Sequence, residues 1–111
     1  MGRGACSARA GPVSLRLIVR PLAEQDLRDA QRWYEEQRPG LGNEFRTTAD
    51  SLIRRIVERP RLYPEVYRNV RRAVMRRFPY LVYYSLSPEA VVVLACLHSK
   101  QDPALLRSRV P

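Results

Sequence analysis

The residues best suited to chemistry in this 111-residue chain are arginines concentrated between positions 59 and 80, with only Glu65 as an acidic neighbour. A guanidinium group binds phosphate or carboxylate through two parallel hydrogen bonds, so this segment suits a nucleic-acid backbone or an acidic segment of a protein partner. The alternative is a solvated edge strand whose charges prevent aggregation. We favour the binding interpretation, because so many arginines cannot all be buried without partners. The arginines of this segment are Arg59, Arg61, Arg68, Arg71, Arg72, Arg76 and Arg77.

His98 is the single histidine of the chain, and Ser99, Lys100 and Asp102 follow it closely. A histidine with such neighbours can act as a general acid or base near neutral pH. The alternative, which we favour, is a structural residue that forms hydrogen bonds at the end of a strand. Tyr84 belongs to a group of tyrosines among the arginines, for which stacking on bases is one role and half-buried packing is the favoured one.

Trp33 precedes Tyr34 near the end of a predicted helix, and it is our candidate for an interface anchor. Glu35 and Glu36 are adjacent, so their side chains diverge by about 100° around the helix and cannot work as a carboxylate pair. We expect both glutamates to be solvated.

The remaining chemistry is excluded by what the sequence lacks. One histidine, no cysteine pair at ligand spacing and no glycine-rich phosphate loop predict neither a metal nor a cofactor. Cys6 and Cys96 do not form a disulfide framework, which indicates a reduced, cytoplasmic protein. We expect no membrane association, because no apolar run approaches 18 residues.

The net charge of +9 and the isoelectric point near 10.5 indicate what the protein binds rather than how it folds. This excess of base over acid suits nucleic acid, a ribosome or an acidic protein that neutralises it.

Hydrophobic periodicity predicts the elements that position these residues. Alternation predicts a first strand, and apolar residues spaced by three and four then predict two helices joined at Pro39–Gly40. Three strands follow, and on the first of them we expect Arg72 and Arg76 on one face and Arg71 and Arg77 on the other. The predicted fold class is α+β, in the order β-α-α-β-β-β, with a helical hairpin packed on a mainly antiparallel four-stranded sheet. The predicted segments are strand 15–19, helices 22–38 and 45–57, and strands 70–78, 80–86 and 90–98; residues 1–12 are expected to form a disordered leader and residues 13–111 a single domain.

Six segments of the sequence, taken in order, carry a resemblance to a known family, and the longest begins with the run Trp-Tyr-Glu-Glu-Gln-Arg-Pro-Gly-Leu-Gly at positions 33–42. The set comprises residues 23–27, 33–45, 60–64, 70–73, 77–84 and 97–103. In this order it resembles the RelE/ParE superfamily of toxins from bacterial type II toxin–antitoxin pairs. The resemblance implies a cognate antitoxin whose acidic segment wraps the toxin in a hetero-oligomer.

The superfamily contains two kinds of toxin with different targets. RelE-like members are ribosome-dependent endoribonucleases that cut mRNA, whereas ParE-like members poison DNA gyrase and have no hydrolytic site. For a nuclease, the resemblance would assign Arg76 or Arg77 to the strand arginine and Lys100 to the basic residue after the last strand. His98 would replace the C-terminal tyrosine of that family, because no tyrosine follows Tyr84.

We favour the non-enzymatic, ParE-like interpretation, because the helical hairpin is closer to that branch. A third hypothesis is a basic nucleic-acid-binding domain without toxicity, which the charge alone permits. In the favoured case the residues expected to contact target or antitoxin are Trp33, Arg71, Arg72, Arg76, Arg77 and Tyr84.

Overall fold

The computed structural model describes residues 15–110 of the chain. The leader predicted for residues 1–12 and Cys6 within it lie outside the described residues. In chain order the elements are β1 (Arg16–Val19), α1 (Pro21–Gln37), α2 (Leu41–Glu58), β2 (Glu65–Tyr67), β3 (Val70–Val74), β4 (Tyr80–Leu86), β5 (Ala90–His98) and α3 (Ala104–Arg107). The five strands form one sheet in the order β1-β5-β4-β3-β2.

Helices α1 and α2 form the predicted hairpin on one face of the sheet. Pro21 begins α1, where its missing N–H costs nothing. The apolar positions of both helices repeat at three and four residues, and these are the positions that are buried. The prediction of the two helices and their core faces is therefore confirmed. The buried residues of the hairpin are Ala23, Leu27, Ala30, Gly42, Phe45, Ala49, Leu52, Ile53 and Ile56.

The connection between the helices corrects one expectation. Glu35 is not simply solvated, since its carboxylate accepts the N–H groups of Gly40, at 3.1 and 3.0 Å, and of Gly42, at 3.1 Å. The negative charge therefore lies at the positive end of α2. Gly40 has a φ of 89°, and a Cβ on Gly42 would lie 2.5 Å from the carbonyl oxygen of Gln31. Glycine at both positions allows this close turn.

Strand β5 lies in the interior of the sheet, between β1 and β4, as its apolar run predicted. It pairs in parallel with β1 and antiparallel with β4. The hairpin covers one face of the strand, and Leu106 of α3 packs in the apolar cluster on the other face. Burial on both faces explains why the run of β5 is nearly continuous rather than alternating.

Two predicted features of the sheet were wrong. The sheet has five strands rather than four, because Glu65–Tyr67 pairs with β3; three residues are too few for a period-two pattern to be visible. The strand predicted to reach residue 78 ends at Val74, since a turn follows in which Arg77 has a φ of 70°. Arg76 and Arg77 thus lie in that turn and do not alternate between the faces of a strand. The tight corner expected near Pro79 is present, closed by the N–H of Met75 donating to the carbonyl of Tyr80 at 3.0 Å.

Side chains cap the part of β5 that β1 does not reach. The β1–β5 pairing ends at Val93, which leaves the next residues at the edge of the sheet. Asp26 accepts the N–H of Cys96 at 2.9 Å, and Arg109 donates to the carbonyl of Leu94 at 3.2 Å. The same two side chains form an ion pair at 2.6 Å. Helix α1 and the C-terminal segment are therefore joined across a strand edge that would otherwise be unpaired.

Stability is expected to fall between pH 9 and pH 12. Burial raises the pKa of the Tyr84 hydroxyl from 10.0 to about 12 and that of the Cys96 thiol from 9.0 to about 12. Both groups are neutral when protonated, so the folded state holds their protons more tightly than the unfolded chain does. Their contribution is thus complete below the unfolded pKa values and is lost as the pH rises towards 12.

The Tyr84→Phe variant tests this expectation. It should be less stable at pH 7 by about 1 kcal/mol, because the hydroxyl no longer donates to the carbonyl of Pro60. Its free energy of unfolding should then fall less steeply than that of the wild type between pH 10 and pH 12. Urea unfolding at a series of pH values measures both effects, and identical pH dependences in the two proteins would contradict the assignment.

Candidate functional site

A cleft lies between the exposed side of α1 and the ends of β4 and β5. Its volume is about 590 Å³, within the range of ligand and side-chain binding sites. Two of the residues singled out from the sequence, Trp33 and His98, line it. The full lining is Asp26, Asp29, Ala30, Trp33, Tyr34, Pro79, Tyr80, Cys96, His98 and Gln101.

Trp33 is held at the mouth of the cleft by a cluster of aromatic rings. Its indole is 54% exposed and meets the ring of Tyr34 edge-on, with the ring centroids 5.0 Å apart. The centroid of Tyr34 lies 5.3 Å from that of Phe45 and 4.8 Å from that of Phe78. The exposed indole therefore projects from a packed base rather than from a mobile loop, as a binding anchor requires.

His98 forms the opposite wall at the end of β5. Its ring Nδ1 accepts the backbone N–H of Lys100 at 3.0 Å, and the backbone N–H of His98 donates to Oε1 of Gln101 at 2.6 Å. The imidazole packs edge-on against Tyr80, with centroids 5.2 Å apart. Because Nδ1 is an acceptor here, the neutral ring carries its proton on Nε2.

The predicted cations Arg76, Arg77 and Lys100 lie at this same end of the sheet. The N–H of Ser99 donates to the carbonyl of Pro79 at 2.8 Å, which joins the turn after β3 to the turn after β5. Arg76 and Lys100 are exposed.

Arg77 forms an ion pair with Glu44 at 2.7 Å, and its guanidinium lies 5.3 Å from the centroid of the Phe78 ring. The hydrogen bond from Arg77 lowers the pKa of the Glu44 carboxyl. Arg77 is thus partly neutralised within the fold.

The other predicted contact residues lie elsewhere. Arg71 is largely buried, with its guanidinium donating to the carbonyl of Tyr63 at 2.6 Å and paired with Glu65 at 3.4 Å. It ties the segment before β2 to the sheet. Arg72 is exposed on β3, opposite Tyr83 of the strand pair and on the face away from the hairpin.

The expectation that Tyr84 contacts a partner is corrected. Its side chain is 0% exposed, packed in the core beneath the hairpin, and its hydroxyl donates to the carbonyl of Pro60. A residue in this position cannot touch a target. Tyr84 is therefore a packing residue, which was the favoured interpretation of these tyrosines.

Asp29 and Tyr80 line the cleft although neither was among the site residues predicted from the sequence. The signal for Asp29 was its spacing of four from Trp33, which places both on one side of α1. Tyr80 gave no such signal, since its place beside His98 depends on the pairing of β4 with β5.

Within residues 15–110, no group of three or more histidine, cysteine, aspartate or glutamate side chains is arranged to hold a metal ion. In the same part of the chain, no helix has both the length and the apolar character needed to cross a membrane. The thiol of Cys96 is 2% exposed, and its raised pKa leaves it unreactive at neutral pH.

Comparison with known proteins places this arrangement in a known group. The chain is 26% identical over 96 residues to Toxin ParE2 of Mycobacterium tuberculosis, in strains CDC 1551 / Oshkosh and ATCC 25618 / H37Rv, covering 86% of this chain and 91% of each relative. Its fold is similar to a solved structure described as the chromosomal ParDE TA system from P. aeruginosa. That match has a TM-score of 0.70 at 13% identity and covers 77% of this chain and 96% of the other.

The family described as ParE toxin of type II toxin–antitoxin system, parDE, matches residues 17–103, from β1 to the turn before α3. This span includes the hairpin, all of the sheet except Arg16, and every residue that lines the cleft. The chain therefore belongs to the ParE family and is the toxin of a type II toxin–antitoxin system.

Proposed function

We propose that this toxin arrests growth by binding DNA gyrase through the surface that bears Trp33, without catalysing a reaction itself. The family supports the choice of target, because ParE-like toxins poison gyrase. The toxin would therefore act in the cytoplasm.

The backbone hydrogen bond to Nδ1 of His98 is the single observation that carries the non-enzymatic half of the proposal. Cleavage of RNA requires one group that takes the 2′-OH proton and another that donates a proton to the leaving oxygen. The backbone N–H of Lys100 occupies the lone pair on Nδ1, and Nε2 of the neutral ring already carries a proton. Neutral His98 is thus poorly arranged to accept a proton.

The tyrosine hydroxyls near His98 do not replace it as a base. Burial raises the pKa of both Tyr34 and Tyr80 above its ordinary value. Both hydroxyls are therefore protonated at neutral pH. Tyr84 is enclosed in the core and is out of reach of any RNA.

Trp33 supports a protein target. Tryptophan is among the residues that most often dominate binding energy at protein interfaces, where it is buried on association. Here it is an exposed aromatic residue held by a packed cluster, next to a cleft that a partner can fill.

We propose further that a cognate antitoxin neutralises the toxin with an acidic segment that wraps it as a hetero-oligomer. The net charge of +9 supports this, as do the exposed guanidinium groups of Arg72 and Arg76. The P. aeruginosa structure with the similar fold is described as a ParDE system, which names both components of a pair.

The His98→Gln variant separates the two mechanisms. The toxin and the variant are each induced without antitoxin, and growth, gyrase-dependent DNA breaks and mRNA cleavage are measured. We expect both proteins to stop growth with DNA breaks and intact mRNA, because glutamine preserves the size and polarity of the side chain. Purified gyrase should also lose supercoiling activity to a similar extent with either protein.

If the toxin were a nuclease that uses His98, the His98→Gln variant would lose most of its cleavage activity. Removing its acid or base would lower cleavage by about 10²–10⁴-fold. A His98→Gln protein that is folded, binds antitoxin and is harmless would overturn the proposal, as would mRNA cleavage by the wild type. Normal growth with verified soluble wild-type toxin would instead favour a non-toxic nucleic-acid-binding domain.

A further inference from the structure

The cleft beside Trp33 differs in charge from the rest of this basic protein. Within residues 15–110, its lining contains the carboxylates of Asp26 and Asp29 but neither arginine nor lysine. Four other depressions in the described surface each include at least one arginine. In a chain with twenty basic residues, a cleft lined by two carboxylates and by no arginine or lysine is unusual.

Its other lining groups are those that bind a cation. Trp33, Tyr34 and Tyr80 contribute aromatic rings. The face of such a ring attracts a guanidinium or ammonium group, and tryptophan does so most strongly. The indole of Trp33 is exposed at the mouth, where an entering group can stack on it.

Asp29 is the carboxylate available to an incoming group. It accepts a hydrogen bond from Gln25 at 2.7 Å, and Arg32 lies 3.6 Å away, with both contacts at Oδ1. Within residues 15–110 no hydrogen bond reaches Oδ2 of Asp29. Its contact with Arg32 joins two exposed side chains one turn apart, and such a pair contributes little energy.

Asp26 shows that this side of α1 accommodates a guanidinium group. The two oxygens of its carboxylate accept Nη1 and Nη2 of Arg109 at 2.6 and 3.2 Å. That fork-to-fork geometry is the specific mode of arginine recognition. Asp26 is fully engaged in this pair, so Asp29 and the aromatic rings are left for a ligand.

We propose that this cleft binds the arginine side chain of a protein partner, with the guanidinium between the Trp33 indole and the Asp29 carboxylate. Charge complementarity identifies the occupant, since the lining offers a carboxylate and aromatic faces but no arginine or lysine. The inference goes beyond the proposed function, because it names the group that the cleft accepts whichever target the toxin has.

The purified toxin can be tested with short peptides. Trp33 is the only tryptophan of the chain, so its fluorescence and its indole N–H resonance report on the cleft directly. The probes are the blocked tripeptide Gly-Arg-Gly and its neutral counterpart with citrulline in place of arginine. Citrulline has nearly the same shape without the charge. We expect saturable shifts of the Trp33 signals, with affinity for the arginine peptide about tenfold higher.

The Asp29→Asn variant should lower affinity for the arginine peptide several-fold and leave that for the citrulline peptide unchanged. Its matched control is Asp50→Asn, because Asp50 lies on α2, outside the cleft. The two side chains are similarly exposed, 54% for Asp50 and 57% for Asp29. The control should bind like the wild type. Equal affinities for the two peptides, no response of Trp33, or an equal loss in both variants would each overturn the proposal. Because the readout is direct binding, failure of the gyrase proposal would not produce these results.

Discussion

Replacement of Trp33 by alanine is expected to abolish growth inhibition while the protein stays folded. The side chain is 54% exposed, so truncation removes little buried surface. The lost edge-on contact with Tyr34 costs about 1 kcal/mol, or a decrease of about 5 °C in melting temperature. As an interface anchor the indole contributes about 2 kcal/mol or more to binding, which is a loss of about 30-fold or more in affinity.

Leu22→Ala is the matched control for this prediction. Leu22 lies on the same helix and is 57% exposed, but it lines a different depression of the surface. Inhibition of purified gyrase by each variant, together with growth after induction, measures the effect. A Trp33→Ala protein as toxic as the wild type would show that the target binds elsewhere. An equal loss in both variants would indicate a general effect of apolar surface.

Replacement of Asp26 by alanine is expected to lower the free energy of unfolding by about 3 kcal/mol, with a decrease in melting temperature of about 10–20 °C. The side chains of Asp26 and Arg109 are both 16% exposed. Removal of the carboxylate leaves the guanidinium of Arg109 largely buried without its counter-charge. It also leaves the N–H of Cys96 without its acceptor.

The double variant Asp26→Ala/Arg109→Ala distinguishes the cost of an unpaired charge from lost packing. If the unpaired guanidinium dominates, removing Arg109 as well should restore part of the stability lost in the single variant. Asp50→Ala is the exposed control, because its pair with Arg46 lies at the surface and should contribute less than about 1 kcal/mol. Chemical denaturation of all three variants supplies the comparison. A loss below about 1 kcal/mol for Asp26→Ala would contradict a structural role for the pair.

The helices were predictable because their signal is local. Side chains three and four residues apart share a helix face, so the periodicity around Leu27 and Phe45 identified both the elements and their buried sides. The same reasoning failed where neighbours in the chain no longer determine the backbone. Nothing in the pattern from Val70 onward indicated that β3 ends at Val74, because the left-handed backbone at Arg77 and the closing hydrogen bond from Met75 belong to the turn as a whole.

The candidate site was predictable only in part for a related reason. The sequence pointed to Trp33 and His98 separately, as a candidate interface anchor and as a histidine at the end of a strand. Their meeting at one cleft depends on how the hairpin packs on the sheet. The prediction that Tyr84 contacts a partner was wrong, because the sequence around a tyrosine among arginines does not show whether it is exposed or buried. Tyr84 is buried by the pairing of its strand within the sheet.

The sequence by itself determined the α+β class, the helical hairpin, the apolar interior strand of the sheet and the excess of positive charge. These properties follow from composition and from spacings of two, three or four residues, which act over short distances along the chain. The tertiary structure alone decided the acceptor role of Nδ1 in His98 and the acidic cleft in a basic protein. It also decided the ion pair of Asp26 with Arg109, whose partners are separated by 83 residues. Such contacts depend on the packing of distant segments, and packing is fixed only when the whole core forms.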